Sequence, residues 1–251
     1  MSQSRSTAPV ARNVFWLMIA AIAWELFQVL RAGAAAPTGS WPISIVDLIF
    51  LVLLPAFTAL AFARLFLVLS QSARGTLNVY TALSSPFAWT FWIGLAIALI
   101  GHGIHVAGHA MQRSLPETFL RGEFAAKIAF LDIRAGYFLL GLGFFLATLA
   151  LVVVGQGAGP RIAGLARLVL IVGSLATYGF VIVYMGVGAK QIIPAIVASV
   201  ILSAISLWSL PPSEVTRDPI GAFVLPGAFL AGVTLIAWTL IVGGQPTWPG
   251  G

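Results

Sequence analysis

In this chain of 251 residues, 60% are hydrophobic and 8% charged, a balance that leaves too little polar surface to cover a water-soluble domain. The net charge of +6 comes from thirteen Lys and Arg scattered singly between apolar runs. That is the pattern of loop residues orienting helices, and it implies no nucleic-acid partner. No cysteine is present, so disulfides, thiolate metal sites, cysteine nucleophiles and c-type haem attachment are excluded.

The apolar segments run approximately over Asn13 to Leu30, Trp41 to Leu69, Phe87 to Ala110, Ile128 to Val154, Ile162 to Met185, Ile192 to Trp208 and Ile220 to Val242. In hydrocarbon each backbone N–H and C=O has to be satisfied within its own segment, and continuous runs of this length do that as helices. The expectation is an all-α, polytopic bundle of about seven transmembrane helices forming one domain over 1–251. Breakers fall between the segments at Ala36-Pro37-Thr38-Gly39, Ser70 to Gly75, Gly155 to Pro160 and Pro211-Pro212-Ser213, as turn chemistry requires. Trp41, Trp89, Trp208 and Trp248 stand near segment ends, where indole sits well at headgroup level.

Arg5 and Arg12 before an apolar run, with Ala34-Ala35-Ala36 after it, resemble a signal peptide, but Glu25 and Gln28 interrupt the run, so it reads as a spanning helix. With the N-terminus in the cytoplasm, Arg5, Arg12, Arg64, Arg74, Arg161, Arg167 and Arg217 fall near inner ends. Arg31, Arg113, Arg121, Lys127 and Lys190 fall near outer ones. This bias of seven to five favours a cytoplasmic N-terminus, and the expectation is a multi-pass protein of the inner (plasma) membrane. Ser114-Leu115-Pro116-Glu117 matches a capping box and predicts a short interfacial helix after Ser114.

Ionisable side chains inside spans are costly, by about 2.5–3.5 kcal/mol at a helix centre, so each invites an explanation. His102, His105 and His109 stand at i, i+3 and i+7, within roughly 60° of one helix face. Because successive helices alternate in direction, Glu25, Asp47 and Asp132 share the outer third of the membrane with that stripe. The last three spans hold no acid or histidine in their apolar centres. Imidazole with carboxylate suits a divalent metal such as Zn, Cu, Fe or Mn. The candidate ligands are His102, His105, His109 and Asp132, with Asp132 and Glu25 as acid–base groups and Glu117 and Glu123 as outer contacts. The same residues admit a plainer reading: imidazoles bonded to water or backbone carbonyls, and Glu25 and Asp132 as polar glue, neutral or paired with Arg134 or Lys127. Gly101, Gly103, Ala107 and Gly108 in the third span, and Gly136, Gly141 and Gly143 in the fourth, permit close backbone approach. No lysine lies within the last span to form a retinal Schiff base, and three histidines on one helix disfavour bis-histidine haem.

The run Gly101-His102-Gly103-Ile104-His105-Val106-Ala107-Gly108-His109-Ala110-Met111, followed by Phe130-Leu131-Asp132, resembles an uncharacterised group of prokaryotic multi-pass membrane proteins. In that group a G-x-G-x-H-x-x-A-N-A helix precedes one opening D-E-x-x-S-H-x-x-x-H-x-G. The resemblance implies His105 and Asp132 as site residues. It departs at Ile133, Gly136, Tyr137 and Gly141, which stand where the group has its Glu, Ser and two histidines.

Three functional classes remain open. The leading one is a metal site acting on a lipid-like substrate. The others are a non-catalytic subunit held among further subunits of a redox or photosynthetic membrane complex, and a transporter or channel in which buried carboxylates serve a proton or cation path.

Overall fold

The computed structural model describes residues 8–32, 49–74, 85–115, 121–157 and 161–242. Seven long helices account for nearly all of them. Helix α1 is Ala8–Ala32; α2 opens with a π-helical turn, Ile49–Leu53, and continues as Leu54–Arg74; α3 is Pro86–Ser114. Helix α4 is continuous over 122–155, in three parts: Gly122–Ala129, a π-helical stretch Phe130–Gly136, and Tyr137–Gly155. Helix α5 repeats that plan as Gly164–Ser174, π-helical Leu175–Gly179 and Phe180–Val187. Helices α6, Ile192–Ser209, and α7, Pro219–Val242, complete the bundle, with one helical turn, Pro212–Val215, between them.

Six of these are long and apolar enough to cross a bilayer, and α6 is a shorter apolar helix. The expected all-α bundle is therefore present, with shifts in its limits: α1 begins at Ala8 ahead of Asn13, and α2 runs to Arg74 through most of the stretch expected to break it. The third span extends through Ser114, so Ser114 closes α3 instead of opening an interfacial helix, and Glu117 lies outside the described residues. The fourth span begins at Gly122, not Ile128. Its 34 residues reach about 50 Å at 1.5 Å per residue, against the ~30 Å a hydrocarbon core needs. The first turns, with exposed Glu123 and Lys127 paired at 2.7 Å, belong to the interface.

Helix α4 is central and packs against α2, α3, α5, α6 and α7. Its contact with α3 is set by glycines seven residues apart. Gly94, Gly101 and Gly108 on α3 meet Gly143 and Ala147, Gly136 and Leu140, and Asp132 on α4. A heptad repeat keeps one stripe on a left-handed seam, and without Cβ atoms the two backbones come into direct contact. A Cβ on Gly94 would stand 2.8 Å from the Gly143 carbonyl oxygen, and one on Gly108 would stand 2.8 Å from Asp132 Cβ. Gly103 has open space around it and Gly141 meets only the Met185 thioether, so these two are not part of the seam.

At the end of the bundle where α1 begins, buried aromatics fill the core. Phe66 of α2 stacks on Phe91 of α3 with ring centroids 4.2 Å apart. Where α7 carries Pro226 inside the helix, the ring crowds the carbonyl of Ala222 four residues earlier and weakens the local ladder. The Gly227 amide donates to Ser174 Oγ of α5 at 2.8 Å, where the π-helical stretch begins. Asp218 caps the start of α7: Oδ1 accepts from the Ile220 and Gly221 amides, each at 2.9 Å, and Oδ2 accepts from Gly157 N at 3.1 Å.

Candidate functional site

The glycine seam delivers Asp132 to the histidine stripe. Gly136 of α4 rests on the backbone of His105 and Gly108 of α3 on Asp132, so the Asp132 side chain projects into the space beside His105 and His109. His105 Nδ1 lies 2.6 Å from Asp132 Oδ1, and both side chains are buried. The same nitrogen lies 3.3 Å from the Asp132 backbone oxygen. His109 Nδ1 lies 3.8 Å from Asp132 Oδ2, with its ring about one third exposed. One carboxylate thus stands opposite two imidazoles, the first tightly and the second loosely.

The π-helical stretch 130–136 adds a third element. Residues five apart on an α-helix diverge by roughly 140°, whereas the i to i+5 bonding of a π-helix brings them toward one face. Asp132 and Tyr137 are so related, and the Tyr137 ring lies against His105 with centroids 4.3 Å apart. Its hydroxyl is 3.3 Å from that of Tyr184 on α5. Tyr137 stands at the position of one of the resembled group's histidines, and nothing in the α-helical periodicity of the sequence would have aligned it with Asp132.

His102 takes a different path. Its Nε2–H donates to the Phe50 carbonyl oxygen, 3.1 Å away, in the π-helical turn that opens α2. Phe50 and Trp24 both present ring edges to it, with centroids 4.9 and 4.8 Å away. A neutral imidazole that meets a carbonyl has its N–H directed there. A rotation of about 60° around α3 from His105 is enough to hand His102 to α1 and α2 instead of α4. The three imidazoles therefore do not converge, and among the described residues no set of three or more His, Asp and Glu side chains is arranged to hold a metal ion.

Among the described carboxylates, Asp132 alone joins the histidines. Glu25 follows Trp24 on α1, and its Oε1 is buried with no hydrogen-bond partner among the described residues. Lys127 pairs with Glu123 and not with Asp132; Arg134 is exposed, and its carbonyl meets the Gln191 side chain at 3.4 Å. Asp47 lies outside the described residues.

Apolar helices of spanning length, lipid-facing large side chains and a buried Asp–His contact near one end define the chain as a polytopic helical membrane protein. No family model, curated protein or solved structure matches it.

Proposed function

We propose that the Asp132–His105 pair is the working centre of this membrane protein, an acid–base couple that takes up and releases a proton within one leaflet, with His109 at its edge. The observation that supports it is the 2.6 Å approach of two buried titratable groups on facing helices. Such groups exchange charge as a unit when strongly coupled, and inside a span ionisable groups mark ion paths and proton relays. Tyr137, whose ring lies against His105, shares a hydrogen bond with Tyr184 of α5 through their hydroxyls. Of the classes open from the sequence, this favours a proton path.

Infrared difference titration of the full chain in detergent tests it. Asp132→Asn removes one titrating carboxyl band, and His105→Gln moves the midpoint of that band by about one pH unit or more. An Asp132→Asn titration that overlays the parent's would end the proposal.

A metal-dependent reading has one observation in its favour. Both His105 and His109 turn Nδ1 toward a single carboxylate, the way an orienting carboxylate holds imidazoles that ligate through Nε2. Zn, Cu, Fe or Mn held there would activate water toward a lipid-like substrate. Stoichiometric metal in the purified parent, lost in the His105→Ala/His109→Ala double variant, would move the site to this reading. A metal-free parent rules it out.

A further inference from the structure

The opposite end of the bundle carries a second polar assembly that the Asp132 site does not use. Helix α4 ends there, α5 starts, α6 ends and α7 starts, and the connections bring three arginines together. Arg161 Nη1 lies 2.6 Å from Glu214 Oε2, and Arg217 Nη1 lies 3.7 Å from Glu214 Oε1. Arg167 Nη2 donates to Thr216 Oγ1 at 2.6 Å, while its Nε is buried without a hydrogen-bond partner among the described residues. The Ile162 amide donates to the Arg217 carbonyl at 2.7 Å, which ties the two connections together. Glu214 is shared by two guanidinium groups, and the third, that of Arg167, is held by a neutral hydroxyl. The nearby Asp218 carboxylate is turned inward and taken up by three backbone amides. Cationic charge is left over, and the Arg161 and Arg217 side chains are more than half exposed.

From this cluster a lipid-facing stripe runs along α5. Leu165, Leu168, Val172 and Leu175 follow at i, i+3, i+7 and i+10 and are all exposed. Trp208, at the same end of α6, is 92% exposed, as an indole at the headgroup boundary would be. Guanidinium groups at headgroup depth above an apolar stripe match a phosphodiester with an acyl chain beneath it, since the planar fork of arginine engages phosphate oxygens two at a time. We propose that this end of the bundle is a binding site for an anionic phospholipid, its headgroup phosphate held by Arg161 and Arg217 and one chain lying along Leu165 and Leu168. The surplus positive charge of the exposed Arg161 and Arg217 selects anionic over zwitterionic headgroups.

Native mass spectrometry of the full chain, released from nanodiscs containing phosphatidylglycerol and phosphatidylcholine, tests this. The parent retains phosphatidylglycerol preferentially, and Arg161→Gln/Arg217→Gln weakens that retention by about fivefold per arginine. Arg121→Gln, at the other end, leaves it unchanged. Glu214→Gln removes the competing acid and tightens retention several-fold, a gain that misfolding would not produce. Equal retention of the two lipids, an equal loss in Arg121→Gln, or displacement by soluble glycerol phosphate as effective as by the lipid would each overturn the assignment.

Discussion

Gly136 of α4 lies against the backbone of His105 on α3, so near that a Cβ on the glycine would stand 2.8 Å from the His105 amide nitrogen. The same contact sets the distance between His105 and Asp132, four residues earlier on α4. Gly136→Ala therefore pushes the helices apart at the site itself. It should cost about 1–3 kcal/mol, as overpacking does, despite the better helix propensity of alanine. Gly103→Ala, where nothing stands within 4 Å of the added carbon, should be neutral or stabilising. Melting of the two variants in detergent separates a seam glycine from an incidental one.

The coupling within the polar group follows from its distances. His105 approaches Asp132 at 2.6 Å in a buried position, His109 at 3.8 Å with a partly exposed ring. Removing one partner of a buried pair leaves the other uncompensated, at a cost of about 3–5 kcal/mol. A double-mutant cycle of Asp132→Asn with His105→Gln should give an interaction energy on the order of 1–3 kcal/mol. The cycle with His109→Gln should give less than half of that. Equal coupling energies would mean that the carboxylate is shared evenly, contrary to the geometry.

Hydropathy alone marked the seven apolar segments, because each bilayer crossing demands a long run with its backbone bonds made internally. The meeting of Asp132 with His105 and His109 was also legible, since alternation of helix direction puts them at one depth. What could not be read is rotation around the helix axis. His102 shares the stripe by spacing but faces Phe50 and Trp24, and Glu25 shares the depth but not the contact. Tyr137 was hidden for a related reason: only the π-helical stretch over 130–136 turns it to the Asp132 side, and no residue pattern announced that change of register. Gly94 completes a seven-residue repeat with Gly101 and Gly108, a spacing present in the sequence itself.

Asp218 offers a test of stability against pH outside the spans. Burial raises its pKa above the ordinary Asp value, against the opposing pull of the Gly221, Gly157 and Ile220 amides. The folded state therefore holds the proton more tightly than the unfolded one. The contribution from this group is fully present below the unfolded value near 3.9 and is lost as pH rises through the folded value. Asp218→Asn keeps an oxygen for the first amides of α7 and should flatten that segment of the pH–stability curve. Asp218→Ala, which leaves those amides uncapped, should cost about 1–2 kcal/mol at low pH. A parent curve that rises with pH between 4 and 6 at this group's expense, as measured against the Asn variant, would contradict the assignment.

The junction of α5 and α7 makes the last prediction. Pro226 disturbs the ladder of α7, and the Gly227 amide finds its acceptor in Ser174 Oγ, a buried hydroxyl on another helix. In hydrocarbon no water stands in for a lost acceptor, so Ser174→Ala strands a buried N–H and should cost about 1–3 kcal/mol. Gly227 cannot relieve this by moving, because the Ser174 backbone oxygen occupies the space where its Cβ would be. Pro226→Ala returns the missing N–H at position 226 to the Ala222 carbonyl and leaves the contact between the Gly227 amide and Ser174 Oγ in place. The loss caused by Ser174→Ala should therefore be the same size in the Pro226→Ala background. Equal losses in both backgrounds identify the hydroxyl as an acceptor needed by the glycine amide itself; recovery in the double variant would show that the proline alone creates the need for it.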